Sequence, residues 1–295
     1  MAINIHFFRN NTLDRLDFSK VLEFFDELPN FEVYYSANDV EIVYSDKEFQ
    51  FTYSYLITKV SQVRQIYKLN PAFVNVNFLL QLPVLVPEFV VKEILSVTQR
   101  LCKLFELEVY NDAFEDVKPF NLMDIIMLFK AARRSHIEEF GLEGKLLFET
   151  DKLNAICKYQ RSIDNIYECF QPSKVQVDYA EAVIDRKTGE YGICCVWNIG
   201  IPTVFPPYFD YVKIKDEDDG EFMVRRKDFF TFVEKYLSEI GTYLPDMYVM
   251  KQKQAHKCRA VVSKLKKFAI LDQTFSSARI CDLIDDDKYQ IRGRN

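Results

Sequence analysis

Apolar and polar residues alternate along residues 3–8, the two-residue period of a strand with one buried face. The period then lengthens: Ser19 stands where a helix cap belongs, ahead of an apolar pattern that runs to Leu28 and stops at Pro29. Residues 31–35, 40–44, 49–58 and 74–82 are rich in Tyr, Val, Phe and Thr and predict strands. After Pro87, a helix places Val90, Ile94, Val97, Leu101 and Leu104 on one face and ends near Glu106. Residues 107–110 return as a strand. A short echo accompanies this order: Glu32-Val33-Tyr34 with Ala37 recurs as Glu108-Val109-Tyr110 with Ala113, each time after a helix. Two such units in one sheet suit a ferredoxin-like pseudo-repeat.

The middle of the chain reads as helical. Asn121 caps a helix through Phe140, with Asp124 in the capping box and Gly141 as its stop; Leu122, Ile125, Ile126, Phe129 and Ile137 mark the apolar face. A second helix is predicted over residues 151–170, with Leu153, Ile156, Ile163, Ile166 and Phe170 at helical spacing and Pro172 beyond. β structure then resumes. Residues 175–184 and 191–199 flank a turn-like stretch at 185–190, and residues 204–214 and 222–224 flank an acidic turn at 216–220. Asp228 is the expected cap of a helix carrying Phe229, Phe232, Val233, Tyr236, Leu237 and Ile240 and closed at Gly241; a basic helix follows over 251–268. The Asp285-Asp286-Asp287 tail is expected to fray.

These elements predict an α+β protein in three parts. Residues 1–118 form a ferredoxin-like sheet-and-helix domain, 119–172 a helical connector packed on both halves, and 173–295 an antiparallel sheet with two helices.

Charge and composition narrow the function classes. The 295 residues carry a net charge of −6, which opposes whole-surface attraction to nucleic acid or anionic lipid. Two uncharged stretches, 69–87 and 191–209, are each interrupted by three prolines, so they read as buried strands and not as membrane spans. The first nine residues hold no basic cluster ahead of a long apolar run, so no signal peptide is expected. Glycine numbers only 8, against roughly 20 at average usage, and none precedes Gly141. That excludes a glycine-rich phosphate cradle from the first 140 residues. The phenylalanine-rich, glycine-poor usage is compatible with a low-GC bacterial or viral source.

The candidate chemistry is sparse. Seven cysteines form no C-x-x-C pair and read as reduced thiols of a cytoplasmic protein, used as small hydrophobes, with Cys194 and Cys195 on opposite faces of a strand. His6, His136 and His256 never fall at metal-ligand spacing, and no serine sits in a nucleophile elbow. The acidic run at 216–221 fails as a calcium loop, because Gly220 at loop position six would put Lys215 at position one. Glu143-Gly144-Lys145 matches an E-x-K triplet but sits in a turn context. No metal or cofactor is therefore expected.

Two stretches remain. Residues 197–209 combine the only tryptophan with prolines and aromatics, and Trp197, Ile201, Phe205, Pro206, Pro207 and Tyr208 form a candidate interaction loop, since prolines reduce the entropy lost on binding. Lys251, Lys253, Lys257, Arg259, Lys264, Lys266 and Lys267 form a candidate basic patch with no acidic residue among them. The bland alternatives are a turn between buried strands and a solvated helix face. Together these features favour a cytoplasmic, non-catalytic interaction or regulatory protein that acts by surface complementarity on an unidentified protein partner. Two alternatives stay open: a hydrolase or nuclease whose site is assembled from distant carboxylates, and a phosphate or nucleic-acid binder working through the basic helix.

Overall fold

The computed structural model describes residues 2–142, 147–216, 220–241, 244–270 and 274–285. The chain divides into two compact units, residues 1–142 and 143–295, each of mixed α+β structure. The division falls inside the stretch expected as a connector, one of its helices going to the first unit and the rest to the second.

The first unit contains β1 (Ala2–Asn10), α1 (Phe18–Asp26), β2 (Phe31–Tyr35), β3 (Asp39–Asp46), β4 (Phe51–Thr58), β5 (Phe73–Pro83), α2 (Glu88–Phe105), β6 (Leu107–Tyr110), β7 (Lys118–Pro119) and α3 (Leu122–Phe140). Its seven strands form one sheet in the order β2-β3-β4-β5-β1-β6-β7, and every neighbouring pair is antiparallel. Residues 3–8 lie in β1 as expected, with Ile5 and Phe7 buried on one face, where Phe7 meets Phe78 and Tyr55; His6 and Phe8 on the other face are buried too, so the strand is covered on both sides rather than on one. Phe25 of α1 closes over Tyr55 at 4.8 Å between ring centroids. Val90, Ile94 and Leu101 of α2 are buried as their spacing requires, whereas Val97 is half-buried and Leu104, near the end of the helix, is exposed; Thr98 meets the Tyr55 hydroxyl at 2.9 Å.

Helix ends follow local chemistry. Asn121 caps α3 through bonds from the Met123 and Asp124 amides, and Gly141 ends it at φ +62°. The cap of α1 is Asp17, not Ser19: the Asp17 carboxylate accepts the Ser19 N–H at 3.0 Å.

The second unit contains β8 (Leu147–Phe148), α4 (Thr150–Arg161), α5 (Ile163–Phe170), β9 (Glu181–Asp185), β10 (Tyr191–Asn198), β11 (Thr203–Phe205), β12 (Tyr211–Asp216), β13 (Gly220–Arg225), α6 (Arg226–Val233), β14 (Ser238–Glu239), β15 (Tyr248–Met250), α7 (Gln252–Cys258), α8 (Val262–Leu265), β16 (Phe275–Ala278) and β17 (Ile284–Asp285). A five-stranded sheet runs β13-β12-β10-β9-β16. It is mixed, because β10 and β12 lie parallel, joined by a crossover that carries β11. The expected strand over 204–214 splits at Pro206-Pro207, which offer no N–H to a ladder.

Four further expectations are corrected. The helix over 151–170 breaks at Ser162. The strand over 175–184 shortens to β9, because residues 175–180 run as an extended segment tied to Pro202 and Val204 by Gln176 and to Tyr159 by the Asp178 carbonyl. The helix expected to close at Gly241 ends at Val233 with one 3-10 turn, and Ser238-Glu239 pair with β15 instead. This extended course lets Ile240 reach a core of Tyr159, Ile163, Ile166, Val204 and Val249. Asp285 is buried in β17 beside β8, not frayed; Asp286, Asp287 and the Glu143-Gly144-Lys145 triplet lie outside the described residues.

Candidate cationic surface of the second unit

The proline–aromatic stretch does not present its rings. Trp197 and Phe205 are fully buried, and Pro206 and Pro207 are buried as well. Phe229 of α6 is the reason: its ring lies 5.8 Å from Trp197, 5.2 Å from Phe205 and 6.0 Å from Phe209, so the aromatics are the floor beneath α6. The expectation of a recognition loop is thus corrected for these side chains. Ile201 alone among the six is exposed, and Tyr208 is half-buried.

The basic segment behaves differently. Residues 252–268 wind as α7, a 3-10 turn, α8 and a second 3-10 turn. Ala255, Cys258, Val261, Val262 and Leu265 are its buried stripe, at spacings of three, four and seven that suit one helical face. The cations consequently point away: Lys251, Lys253, Lys257, Arg259, Lys264 and Lys267 are exposed, and Lys266 is half-buried above the Phe222 ring. Among the described residues none of the six exposed cations forms an ion pair with a carboxylate. Ion pairs seen among the described residues of this unit, Lys152–Glu149, Lys213–Glu221 and Arg279–Asp282, lie elsewhere. Arg259 also joins the two candidate stretches, since its guanidinium packs against Gly200, where a Cβ would come within 2.7 Å of Nε. Gly200 has φ +84°, so glycine suits this point both by its turn and by the close approach.

The structure adds cations that the sequence reading passed over. A cleft of about 310 Å³ at the start of α6 is lined by Glu190, Tyr208, Asp210, Arg225, Arg226 and Lys227, among others. The Arg226 guanidinium lies 4.8 Å from the Phe209 ring centroid and 5.0 Å from that of Phe230. The Tyr208 hydroxyl donates to Asp210, whose other oxygen accepts the Ile193 N–H at 2.9 Å. Three consecutive cations ahead of Phe229-Phe230 were the available signal. In the first unit, a cleft of about 540 Å³ interleaves Arg9, Arg15 and Lys20 with Asp14, Asp17 and Glu23, so its field largely cancels.

The perturbed titratable groups are scattered. Burial raises the Asp178 carboxyl, against the opposing pull of Gln176 and Lys215, and burial raises Glu108. Neither lines the clefts just described. Burial pushes the Cys195 thiol well up and lowers His6, where Asp112 opposes it. Among the described residues no group of three or more His, Cys, Asp or Glu side chains is placed to hold a metal ion, and no helix is long and apolar enough to cross a membrane. The chain matches no protein-family model, no curated protein and no solved structure.

Proposed function

We propose that this chain is a non-catalytic binding protein whose second unit docks an acidic protein surface on the 251–267 segment. The observation that supports it is the row of exposed cations, Lys251, Lys253, Lys257, Arg259, Lys264 and Lys267, without carboxylate partners among the described residues. An acidic protein is favoured over single-stranded nucleic acid because 251–267 holds no Phe, Tyr or Trp and only Phe268 follows it, leaving no series of rings for bases to stack on. In the first unit, we read β6-β1-β5-β4 with α1 and α2 as a ferredoxin-like arrangement widened by the β2-β3 hairpin.

The test compares polyglutamate with duplex DNA as fluorescent probes, against the full chain and a Lys253→Glu/Lys257→Glu/Lys264→Glu variant. Rim charges contribute roughly 0.2–1 kcal/mol each, so losing three weakens polyglutamate binding by roughly 3–150-fold, with affinity falling as salt rises. Undiminished binding by the variant, or none by the wild type, removes the proposal. A preference for duplex DNA transfers the face to nucleic acid.

A further inference from the structure

The two edges of the seven-stranded sheet are built differently. β7 is two residues long and consists of Lys118 and Pro119, both devices that block further pairing. β2, at the other edge, reads Phe31-Glu32-Val33-Tyr34-Tyr35, with no lysine and no proline, and its pairing with β3 is regular along its length. Tyr34 and Tyr35 are 53% and 73% exposed, so the edge is open to solvent.

The register shows which backbone groups are free. Ser45 donates to the Asn30 carbonyl and Ser36 to that of Asp39, which makes the even-numbered residues of β2 the hydrogen-bonded partners of β3. The N–H and C=O of Phe31, Val33 and Tyr35 therefore point outward, and among the described residues none of them has a backbone partner beyond the strand.

We propose that a second copy of this chain pairs here, β2 against β2, antiparallel about a two-fold axis through Val33. That register sets Phe31 opposite Tyr35 of the other copy and Val33 opposite Val33, so outward groups meet outward groups, each pair exchanging two hydrogen bonds. It also sets Glu32 opposite Tyr34. Tyr34 already donates its hydroxyl to Glu32 within one chain, so each carboxylate meets phenols across the axis and never another carboxylate. Every other symmetric register that matches outward groups shortens this five-residue ladder. The Phe31–Tyr35 pairs place ring on ring, the kind of cross-strand contact that adds most to a sheet.

The experiment is sedimentation equilibrium of the full chain from about 1 to about 200 μM, the range in which a small interface associates. Val33→Pro is the informative variant, because the N–H it removes bonds nothing in the single chain; Tyr35→Pro repeats the test at a more exposed position. We expect a monomer–dimer equilibrium in the wild type, weakened at least about tenfold by either variant with unchanged circular dichroism, because each removes two ladder bonds from the interface, one donated by each copy. Amide exchange at Phe31, Val33 and Tyr35 should slow as concentration rises. A chain that stays monomeric, or a dimer indifferent to both prolines, overturns the proposal.

Discussion

Replacing Glu88 by Gln tests how the first unit holds α3. Glu88 opens α2 with its side chain only 7% exposed, and its carboxylate lies 2.7 Å from Lys92 Nζ and 2.9 Å from Lys130 Nζ, the latter on α3. Burial alone would push this carboxyl up, but the bonds from Lys92 and Lys130 outweigh it and hold it below its ordinary 4.5. Removing one partner of a buried pair costs about 3–5 kcal/mol when the remaining charge is stranded. Here the ammonium groups are 47% and 27% exposed, so water recovers much of their solvation. A loss of about 2 kcal/mol is the resulting expectation, since a screened pair counts for far less than a dry one. The only tryptophan lies in the second unit, so its fluorescence is blind to this change. Amide exchange in α2 and α3 across a urea series is the appropriate assay. The sign in acid is fixed by linkage: a depressed carboxyl stabilises above its unfolded value and loses that contribution as pH falls through its folded one. The gap between wild type and variant should therefore close as pH drops below 4.5. A difference under about 0.5 kcal/mol at pH 7, or one that persists in strong acid, would refute the reasoning.

Other expectations are quickly checked. Cys169 is exposed while the other six thiols are buried, and burial pushes Cys102 and Cys258 up to about 12 and Cys281 to about 11. A thiol reagent at pH 8 should consume one fast equivalent and the rest only on unfolding; two fast equivalents would contradict this. The Trp197 indole N–H is buried without a partner among the described residues. Trp197→Phe should thus lie within about 1 kcal/mol of wild type in urea titrations, because the orphan donor's cost of about 1–3 kcal/mol offsets lost packing, whereas Trp197→Ala should cost about 3–5. Glu106 ends α2 at φ +53°. Glu106→Gly should be more stable than Glu106→Ala by about 1 kcal/mol, the reverse of the order expected at exposed Ser96 inside the same helix; equal stability of the two would deny the left-handed cap.

Helices with one continuous core were legible from spacing. α2 and α3 buried most of the residues their periodicity named, Val90, Ile94 and Leu101 in the first and Ile125, Ile126, Phe129 and Ile137 in the second; Val97 and Leu122 are half-buried and Leu104, in the last turn of α2, is exposed. The pattern misled where one segment serves two cores. Phe229, Val233, Leu237 and Ile240 fit a helix, yet Phe229 packs against Trp197 while Ile240 belongs with Val204 and Val249. Only an extended chain after Tyr236 reaches both, and that requirement is tertiary. Glu88–Lys92 is likewise readable as an i,i+4 pair, whereas Lys130 arrives through packing.

The same distinction governs the candidate sites. Absence of acids across 251–267 was a local signal, and the stripe from Ala255 to Leu265 turned the cations outward as a helix must. Proline and aromatic content carried no such direction. The strand period places Ile193, Cys195 and Trp197 on one face of β10, but Gly192 and Cys194 on the other face are buried as well, so the period alone carried no direction for Trp197 either. Glycine is similar. Its absence before residue 141 excludes a glycine-rich cradle there but not irregular backbone, since Asn30, Gln50, Gln65, Asn77 and Glu106 all adopt positive φ. Each is a polar residue at or beside the end of a strand or helix, Asn77 within β5 excepted. A left-handed residue costs a side chain roughly 1–2 kcal/mol, which the surrounding ladders and helix ends must supply. Composition therefore bounds the sequence's easy irregularities, and the sheet imposes the others.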